Sequence, residues 1–327
     1  MSIIKVKNLC KSYKYYKKEE GLKGSLKNLI HRQSLYKEAV KNLNFEIEEG
    51  DFIGFIGLNG AGKTTTLKML SGILKPTAGD IDILGYDPFG RDYKFLKQIS
   101  FVMGNKSQLW WDIPAIDSIK MNKDIYGVSD SDYKRQLNNL IEIFGVENLL
   151  NTQVRRLSLG ERMKMELIVA LIHSPQIIFL DEPTIGLDII SQYKIREMLK
   201  DYNRVNKATI ILTSHNLDDI ESLCNNLLII DEGSLIYNGA FSTFINEYSK
   251  NKAINIKCNS NKRQILESIK NFEPDLIEEN VDDIKIVMNS EKVLMLTNVL
   301  LGEHLSDIKD ISIENTDIHE ILRKFYD

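Results

Sequence analysis

The sequence predicts an α/β fold in which helices cover a mostly parallel sheet, followed by a smaller α+β unit. Through about residue 240, short apolar runs that are typical of strands alternate with longer helical patterns. Such alternation is typical of parallel sheets with crossover helices. After Ala240 the order changes to βαββαβ, with a further helix from Ile318. Since 327 residues are enough for two units, we predict domains at 1–240 and 241–327.

The composition indicates a globular protein without a nucleic-acid partner. Hydrophobic residues make up 43% of the chain and charged residues 27%, which is normal for a protein with a buried core. The formal net charge of -4 gives no broad basic field for nucleic acid. The three cysteines show no CxxC spacing and fit a reducing compartment. No apolar run reaches the roughly 18 residues of a spanning helix, so we expect a cytoplasmic protein that reaches a membrane only through a partner.

A glycine-rich loop, residues 57–65, follows an apolar strand at 52–56 and opens a helix at 63–71. In this context, successive backbone N–H groups and the helix N-terminus bind nucleotide phosphates. Lys63 is expected to reach the β- and γ-phosphates, and the hydroxyl of Thr64 is expected to bind magnesium. The expected phosphate-binding residues are Gly57, Asn59, Gly60, Gly62, Lys63, Thr64 and Thr65.

Two adjacent carboxylates, Asp181 and Glu182, follow an apolar strand at 177–180. The carboxyl ends of parallel strands share one edge of a sheet, so both acids should lie near the glycine-rich loop. We expect Asp181 to hold Mg²⁺ and Glu182 to orient and deprotonate an attacking water. Taken alone, an Asp-Glu pair before Pro183 is also typical of a turn. The glycine-rich loop favours the catalytic interpretation.

Three further motifs complete an ordered set. They are Leu157-Ser-Leu-Gly-Glu161 before a long helix, Gly186-Leu-Asp188, and Thr213-Ser-His215 after a strand. With the glycine-rich loop and the Asp-Glu pair, the set resembles the ABC ATPase family, whose signature motif reads LSGGQ. The resemblance covers about residues 1–240. It implies a P-loop NTPase core with a helical subdomain at about 104–160, and ATP with Mg²⁺ as the ligands.

The resemblance also implies roles for these motifs. The signature residues would face the γ-phosphate of ATP on a second ATPase subunit, His215 would be the switch histidine that contacts the γ-phosphate, and Asp188 would stand in the D-loop. Ser158 supports the first role, because it can cap a helix whose free N–H groups form an anion site. One P-loop and one signature per chain imply a head-to-tail pair, either a homodimer or a pair with a related subunit. Glu161 replaces the family's glutamine and adds a negative charge. The implied signature residues are Leu157, Ser158, Gly160 and Glu161.

The resemblance also assigns a residue that stacks on adenine and a residue of the family's Q-loop. Tyr13 stands where the family carries an aromatic residue that stacks on adenine, with Tyr15 and Tyr16 as rivals. Asn105 stands at the Q-loop glutamine, which contacts Mg²⁺ and the attacking water. Its side chain is one methylene shorter, so a bridging water is expected. Gln108 is the alternative Q-loop residue.

Residues 109–112, Leu-Trp-Trp-Asp, indicate a membrane partner. Both tryptophans of the chain, Trp110 and Trp111, stand beside the groove that receives a permease helix in this family. They either fill the core or anchor the permease. Together with a Lys/Tyr-rich insert at 14–36 and a small C-terminal domain, this loop resembles ATPases of the ABC-2 type exporter class. The resemblance implies an ATP-hydrolysing subunit that a transmembrane permease holds at the inner face of the cell membrane. A soluble ABC ATPase without a transport function is the alternative.

The insert and the second unit allow further expectations. Leucines at helical spacing among the lysines of the insert are consistent with a solvated loop, or with a basic amphipathic helix on anionic lipid or on the permease. We interpret the insert as the interruption of a hairpin formed by strands at 3–9 and 39–47. The βαββαβ order of residues 241–327 predicts a ferredoxin-like domain.

Overall fold

The structure is a computed structural model that describes residues 2–16, 34–104, 106–248, 251–259, 261–280 and 283–315. The chain divides into two compact units, Met1–Gly239 and Ala240–Asp327. Asn105, the insert residues 17–33 and the helix predicted from Ile318 lie outside the described residues. Within the described ranges, no helix combines the length and the apolar character that crossing a membrane requires.

The first unit begins with strands and then alternates strands with helices. Its first elements are β1 (Ser2–Tyr16), β2 (Ser34–Glu48), β3 (Phe52–Gly57), α1 (Lys63–Leu70), β4 (Ala78–Ile83), α2 (Tyr93–Leu96) and β5 (Ile99–Met103). A helical block follows with α3 (Ala115–Tyr126), α4 (Asp130–Phe144) and α5 (Leu159–Leu171). The last elements are β6 (Ile177–Asp181), α6 (Ile189–Asn206), β7 (Thr209–Thr213), α7 (Leu217–Leu223), β8 (Asn226–Asp231) and β9 (Ser234–Ala240).

Six strands form the central sheet in the order β5-β6-β7-β3-β8-β9, and the neighbouring pairs from β5 to β8 are parallel. Strands β3, β6 and β7 are buried along their whole length, which is typical of a sheet covered on both faces. Packing on β3 is close at Gly54, because a Cβ there would lie 2.9 Å from the Leu227 side chain, which would have to shift. The predicted α/β fold with a mostly parallel sheet is therefore confirmed.

Strands β1, β2 and β4 form a separate antiparallel sheet in the order β2-β1-β4. The β1–β2 hairpin remains paired as far as Tyr16 opposite Ser34. The strand ends predicted at Leu9 and Ala39 are therefore wrong, and the hairpin extends into both ends of the predicted insert. Register shifts along β1, the last before Ser12, interrupt the alternation on which that prediction rested.

The buried apolar residues of helix α6, Ile195, Leu199 and Tyr202, recur at helical spacing, but its first residues do not follow this pattern. Its first residues, Ile189 and Ile190, are 80% and 67% exposed, whereas Ile195 is buried. Apolar residues thus occur on more than one face, which conceals the helical period. The helix start is defined by its N-cap, where the Asp188 carboxylate accepts a hydrogen bond from the N–H of Ser191.

The second unit packs helices on a four-stranded antiparallel sheet with the strand order β11-β12-β10-β13. One hydrophobic core joins the sheet to α9 and α10 and includes Ile254, Ile286, Ile265 and Leu296. The predicted α+β character of this unit is confirmed. Its elements are α8 (Phe241–Tyr248), β10 (Asn251–Cys258), α9 (Lys262–Lys270), β11 (Leu276–Glu279), β12 (Asp283–Asn289), α10 (Ser290–Glu303) and β13 (Ile308–Asn315).

A buried network around Asp219 joins α6, α7 and two loops of the first unit. The Asp219 carboxylate is fully buried and accepts hydrogen bonds from Thr184 Oγ1 at 2.5 Å and from Ser214 Oγ at 2.6 Å. Arg196 Nη1, on α6, lies 3.0 Å from the same carboxylate. Because a buried charge needs both a counter-charge and hydrogen bonds, these partners together hold the loops that follow β6 and β7.

We predict that Arg196→Met strongly destabilises the first unit. Methionine keeps much of the side-chain volume but leaves Asp219 buried without its counter-charge, which costs about 3–5 kcal/mol. Urea unfolding followed by circular dichroism measures the loss. Arg204→Met is the matched control, because Arg204 pairs with Asp201 at the surface (2.9 Å) and such pairs contribute about 1 kcal/mol or less. Equal unfolding midpoints for the two variants would contradict this account of the network.

Candidate functional site

A pocket at the carboxyl edge of the central sheet collects most of the predicted nucleotide-binding residues. It has a volume of about 490 Å³ and lies where β3, β6 and β7 end. Open parallel sheets bind their ligands at this edge. The predicted residues that line it are Tyr13, Asn59, Gly60, Gly62, Lys63, Thr64, Thr65, Asp181, Glu182 and His215.

The glycine-rich loop curls around the ammonium group of Lys63. Lys63 Nζ donates hydrogen bonds to the carbonyl oxygens of Gly57 at 2.7 Å and Leu58 at 3.2 Å. Gly62 has a φ of +112°, and a Cβ there would lie 2.5 Å from the Ala39 carbonyl oxygen, so only glycine fits. Burial lowers the pKa of Lys63, whereas two nearby carboxylates raise it. The curled backbone therefore brings a lysine side chain to the wall of the pocket.

Asp181 faces the glycine-rich loop across β7. Thr64 Oγ1 lies 3.0 Å from both carboxylate oxygens of Asp181. Thr213 Oγ1, at the end of the intervening strand, donates to Asp181 Oδ1 at 2.7 Å. Hydroxyl and carboxylate oxygens are the ligands that Mg²⁺ prefers, so this donor set fits the predicted metal. Among the described residues, no group of three or more His, Cys, Asp or Glu side chains forms another candidate metal site.

Glu182 is held in a left-handed backbone conformation. Its φ is +57°, which is unfavourable for a residue with a Cβ. Its N–H donates to the Thr213 carbonyl oxygen at 3.1 Å. Its own carbonyl oxygen packs so closely on Gly104 that a Cβ there would lie 2.3 Å away. The carboxylate is positioned by His215, whose Nε2 lies 3.0 Å from Oε1.

The pKa of Glu182 is raised above the ordinary glutamate value. Burial is the largest cause, and Asp181 adds to the increase, whereas His215 and Lys63 oppose it. A carboxylate that is more basic than usual accepts a proton from water more readily. The surroundings of Glu182 are therefore those expected of a general base.

The predicted signature residues are not among the residues that line this pocket; they lie at the N-terminus of α5. Ser158 caps the helix, because its Oγ accepts the N–H of Glu161 at 3.3 Å. The Glu161 carboxylate turns back and accepts the N–H of Ser158 at 2.8 Å, completing a capping box. Glu161 in place of glutamine thus serves the helix cap. Leu157 precedes the cap and is half-buried.

The first turn of α6, which follows the predicted D-loop, packs against α5, the helix that begins at the predicted signature. A Cβ on Gly160 would lie 2.6 Å from Ser191 Oγ on α6. Asp188 accepts hydrogen bonds from the N–H of Ser191 at 2.9 Å and from its hydroxyl at 2.6 Å. Gly160 is therefore needed for close packing, and Asp188 has a capping role that the motif alone did not indicate.

Tyr13 lines the pocket, whereas its rivals Tyr15 and Tyr16 are not among the lining residues. Tyr13 is opposite Lys37 in the β1–β2 hairpin, and Lys37 also lines the pocket. The hairpin register therefore brings an aromatic ring and a cation to one wall.

The predicted Q-loop begins at the pocket and then leaves it. Asn105 lies outside the described residues, but its neighbours Gly104 and Lys106 line the pocket. The alternative residue, Gln108, has another role: its side-chain amide donates to the Phe101 carbonyl oxygen at 3.2 Å.

The tryptophan loop, residues 107–112, exposes both tryptophans. Trp110 is 59% exposed and Trp111 is 51% exposed, so their interpretation as core filler is wrong. Leu109 takes the buried position in the loop. The Arg162 guanidinium of α5 lies over the Trp111 ring, 5.3 Å from its centroid. Trp111 therefore lies beside α5, whereas the N–H of Trp110 donates to Ser118 Oγ of α3 at 3.0 Å.

Some residues of the pocket carry no motif and were missed by sequence reasoning. Lys68 follows Lys63 by five residues on α1, and Lys37 is located only by the register of the hairpin. Thr213 belongs to the Thr213-Ser-His215 motif and is not among the lining residues; it is joined to the site through its bonds to Asp181 and Glu182. The unpredicted lining residues are Lys37, Ala39, Lys68, Met103, Gly104, Lys106 and Ile185.

Comparison with known proteins assigns the family. The family model described as ABC transporter matches residues 40–185. The ABC transporter ATP-binding protein NatA of Bacillus subtilis is 34% identical over 206 residues, which cover 63% of this chain and 83% of NatA. The bacitracin transport ATP-binding protein BcrA of Bacillus licheniformis is 34% identical over 200 residues, or 61% of this chain and 64% of BcrA. The Nod factor export ATP-binding protein I of Cupriavidus metallidurans is 35% identical over 200 residues, or 61% of this chain and 65% of that protein.

Solved structures agree with the fold. An ATP-binding subunit of an ABC transporter superposes with a TM-score of 0.61 at 22% identity and covers 75% of this chain and 93% of that chain. A dimeric ATP-binding cassette, MJ0796 bound to ADP and Pi, gives a TM-score of 0.59 at 23% identity and covers 72% of this chain and 98% of that chain.

These findings define the class of protein: a P-loop ATPase with the ABC cassette fold. The chain belongs to the family of ABC transporter ATP-binding proteins, and the resemblance drawn from its five motifs is confirmed.

We predict that acid inactivation of the ATPase reports the protonation of Glu182. A general base must be deprotonated, and the pKa of Glu182 is raised, so the rate should fall at a higher pH than an exposed glutamate would give. His215→Gln removes a group that lowers this pKa and should move the acid limb of kcat to still higher pH. Steady-state ATPase rates from acidic to neutral pH measure the acid limb of the parent protein and that of His215→Gln. An acid limb that is identical in the two proteins would contradict the assignment.

Proposed function

We propose that the chain is the ATP-hydrolysing subunit of an ABC-2 type exporter and works as one half of a head-to-tail dimer. The observation that carries the proposal is the pocket where Lys63, Thr64, Asp181, Glu182 and His215 meet at one sheet edge. Transport out of the cell is supported by the similarity to a protein named for Nod factor export.

In this proposal the glycine-rich loop holds the phosphates of ATP. The backbone N–H groups at the N-terminus of α1 and the Lys63 ammonium supply positive charge. Thr64 and Asp181 hold Mg²⁺, which neutralises phosphate charge when it is bound. Tyr13 offers its ring to the adenine base, since it is 41% exposed on the pocket wall.

Glu182 orients the attacking water and takes its proton. Its raised pKa and its position in the pocket support this role. His215 fixes the Glu182 carboxylate through the 3.0 Å contact and contacts the γ-phosphate. Thr213 holds the backbone of Glu182, so the left-handed conformation persists while the side chain accepts the proton.

The signature residues act on ATP that a second subunit holds. Ser158 is exposed at the N-terminus of α5, a position that favours an anion. Each chain carries one glycine-rich loop and one signature, so two copies in head-to-tail orientation complete two sites. A homodimer meets this requirement, and a dimeric cassette is among the structures that share the fold.

A transmembrane permease subunit is the proposed membrane partner, and it holds the ATPase at the inner face of the membrane. The exposed Trp110 and Trp111 support this role, because tryptophan is enriched among the residues that anchor protein interfaces.

For the second unit we propose a ferredoxin-like topology, with the domain boundary near residue 240. The support is the antiparallel order β11-β12-β10-β13, in which α9 follows β10 and α10 follows β12.

We predict that Glu182→Gln abolishes turnover and preserves ATP binding. The amide cannot accept the proton from water, so kcat should fall at least about 100-fold, while the glycine-rich loop is unchanged. Size-exclusion chromatography with ATP should show a dimer. Lys63→Ala is the contrasting variant: it removes the charge facing the phosphates and should weaken ATP binding in calorimetry. A monomer with ATP and parental turnover in Glu182→Gln would refute the proposal.

We predict that replacing Trp110 and Trp111 by alanine weakens permease capture without unfolding the chain. Both rings are exposed, so the melting temperature should change little. If they are anchors, permease affinity should fall by about 2 kcal/mol or more. Copurification of the full chain from membranes, with mass identification of the captured subunit, measures the loss. Ile236→Ala, at a similarly exposed apolar residue on β9, is the control. Normal capture by the folded double variant would exclude the anchor role.

A further inference from the structure

A buried carboxyl group joins the signature helix to the tryptophan loop. Glu166 on α5 is 4% exposed. Ser107 Oγ donates a hydrogen bond to Glu166 Oε1, and the N–H of Gln108 donates to Oε2 at 2.8 Å. Both carboxyl oxygens therefore bond to the loop. A buried polar group is costly to separate from its partners, so helix and loop are joined at this point.

Two arginines strengthen the same junction. Arg162, one turn before Glu166, lies over the Trp111 ring at 5.3 Å. Arg155, just before the helix, pairs with Asp112 at 3.3 Å, and its N–H donates to the Trp111 carbonyl oxygen at 3.0 Å. The tryptophan loop is thus attached at both of its ends to α5 and to the residues that lead into it.

The stretch that holds the loop also contains the signature motif. Ser158, Arg162 and Glu166 are spaced four residues apart, so they share one face of α5. A helix that is packed along its length moves as a unit, so a displacement at one end appears at the other. The loop and Ser158 are therefore attached to the same helix.

We propose that Glu166 is a positioning residue that couples the tryptophan loop to the signature motif. Through it, a change at Trp110 and Trp111 alters the fit of Ser158 to ATP on the second subunit. This inference rests on the proposed dimer. If Glu166 couples the two, the tryptophans respond mainly to ATP bound between Ser158 and the second subunit. They respond less directly to ATP in the pocket of their own chain.

Tryptophan fluorescence measures this coupling directly, because Trp110 and Trp111 are the two tryptophans of the chain. In full-length Glu182→Gln, ATP should change the emission in proportion to the dimer fraction, whereas ADP should not. Glu166→Gln, added to Glu182→Gln, replaces one accepting carboxyl oxygen by an amide NH₂. The NH₂ group is a donor, so it cannot accept the hydrogen bond from the loop. The substitution should reduce the ATP-dependent emission change at least about threefold, with ATP affinity and dimer fraction unaltered. Ser107→Ala alters the junction from the loop side and should act in the same direction.

Lys164→Met is the matched control, because Lys164 lies on the same helix and donates to the Phe144 carbonyl oxygen of α4 at 3.2 Å. It removes a comparable bond that does not involve the loop, so its emission change should equal that of the parent. The inference is overturned if both Glu166→Gln and Ser107→Ala leave the emission change intact in a dimer. It is also overturned if the parent responds equally to ADP and ATP, or to neither. A parent that remains monomeric with ATP contradicts the proposed function itself, and the inference falls with it.

Discussion

The proposed nucleotide site depends on the position of the Asp181 carboxylate, which must face the glycine-rich loop across β7. In the order β6-β7-β3, one strand separates the acid from the loop. The parallel register pairs Asp181 with Thr213, and the Thr213 hydroxyl bonds the carboxylate at 2.7 Å. A slip of one residue would turn the Asp181 side chain to the other face of the sheet. The register of three buried strands therefore determines whether the Thr64 hydroxyl and the Asp181 carboxylate can meet.

Glu182 follows from the same register but requires further support. Its left-handed backbone costs about 1–3 kcal/mol, and the surrounding structure must offset that cost. Two hydrogen bonds from its N–H to Thr213, one to the carbonyl oxygen and one to the hydroxyl, hold the backbone. The Asp219 network holds the loops on either side, because it bonds Thr184 after β6 and Ser214 after β7. The 3.0 Å contact between Glu182 and His215 is thus a product of buried packing well outside the pocket.

Sequence reasoning identified what is local in the chain. Lys63, Thr64 and Asp181 follow from a loop or a strand end whose meaning is contained in a few adjacent residues. Features that depend on distant partners escaped it. Gly104 is needed because the Glu182 carbonyl oxygen approaches it, and Lys37 reaches the pocket through the hairpin register. No periodicity in one segment can report such contacts. The long strands of the first hairpin and helix α6 escaped for the related reason that bulges and exposed isoleucines conceal their patterns.

Exposed isoleucines at the start of α6 and just before it are consistent with the proposed head-to-tail dimer. Ile185, Ile189 and Ile190 are 55%, 80% and 67% exposed around Asp188. Exposed apolar side chains that stand together are typical of surfaces that another chain covers. Asp188 itself is engaged in capping α6, and Ser191 packs on Gly160 of the signature helix. The segment that exposes these isoleucines is therefore braced against the signature motif. A second subunit that covered them would meet a preformed surface, and Ser158 would be presented to its ATP with little reorganisation of α5.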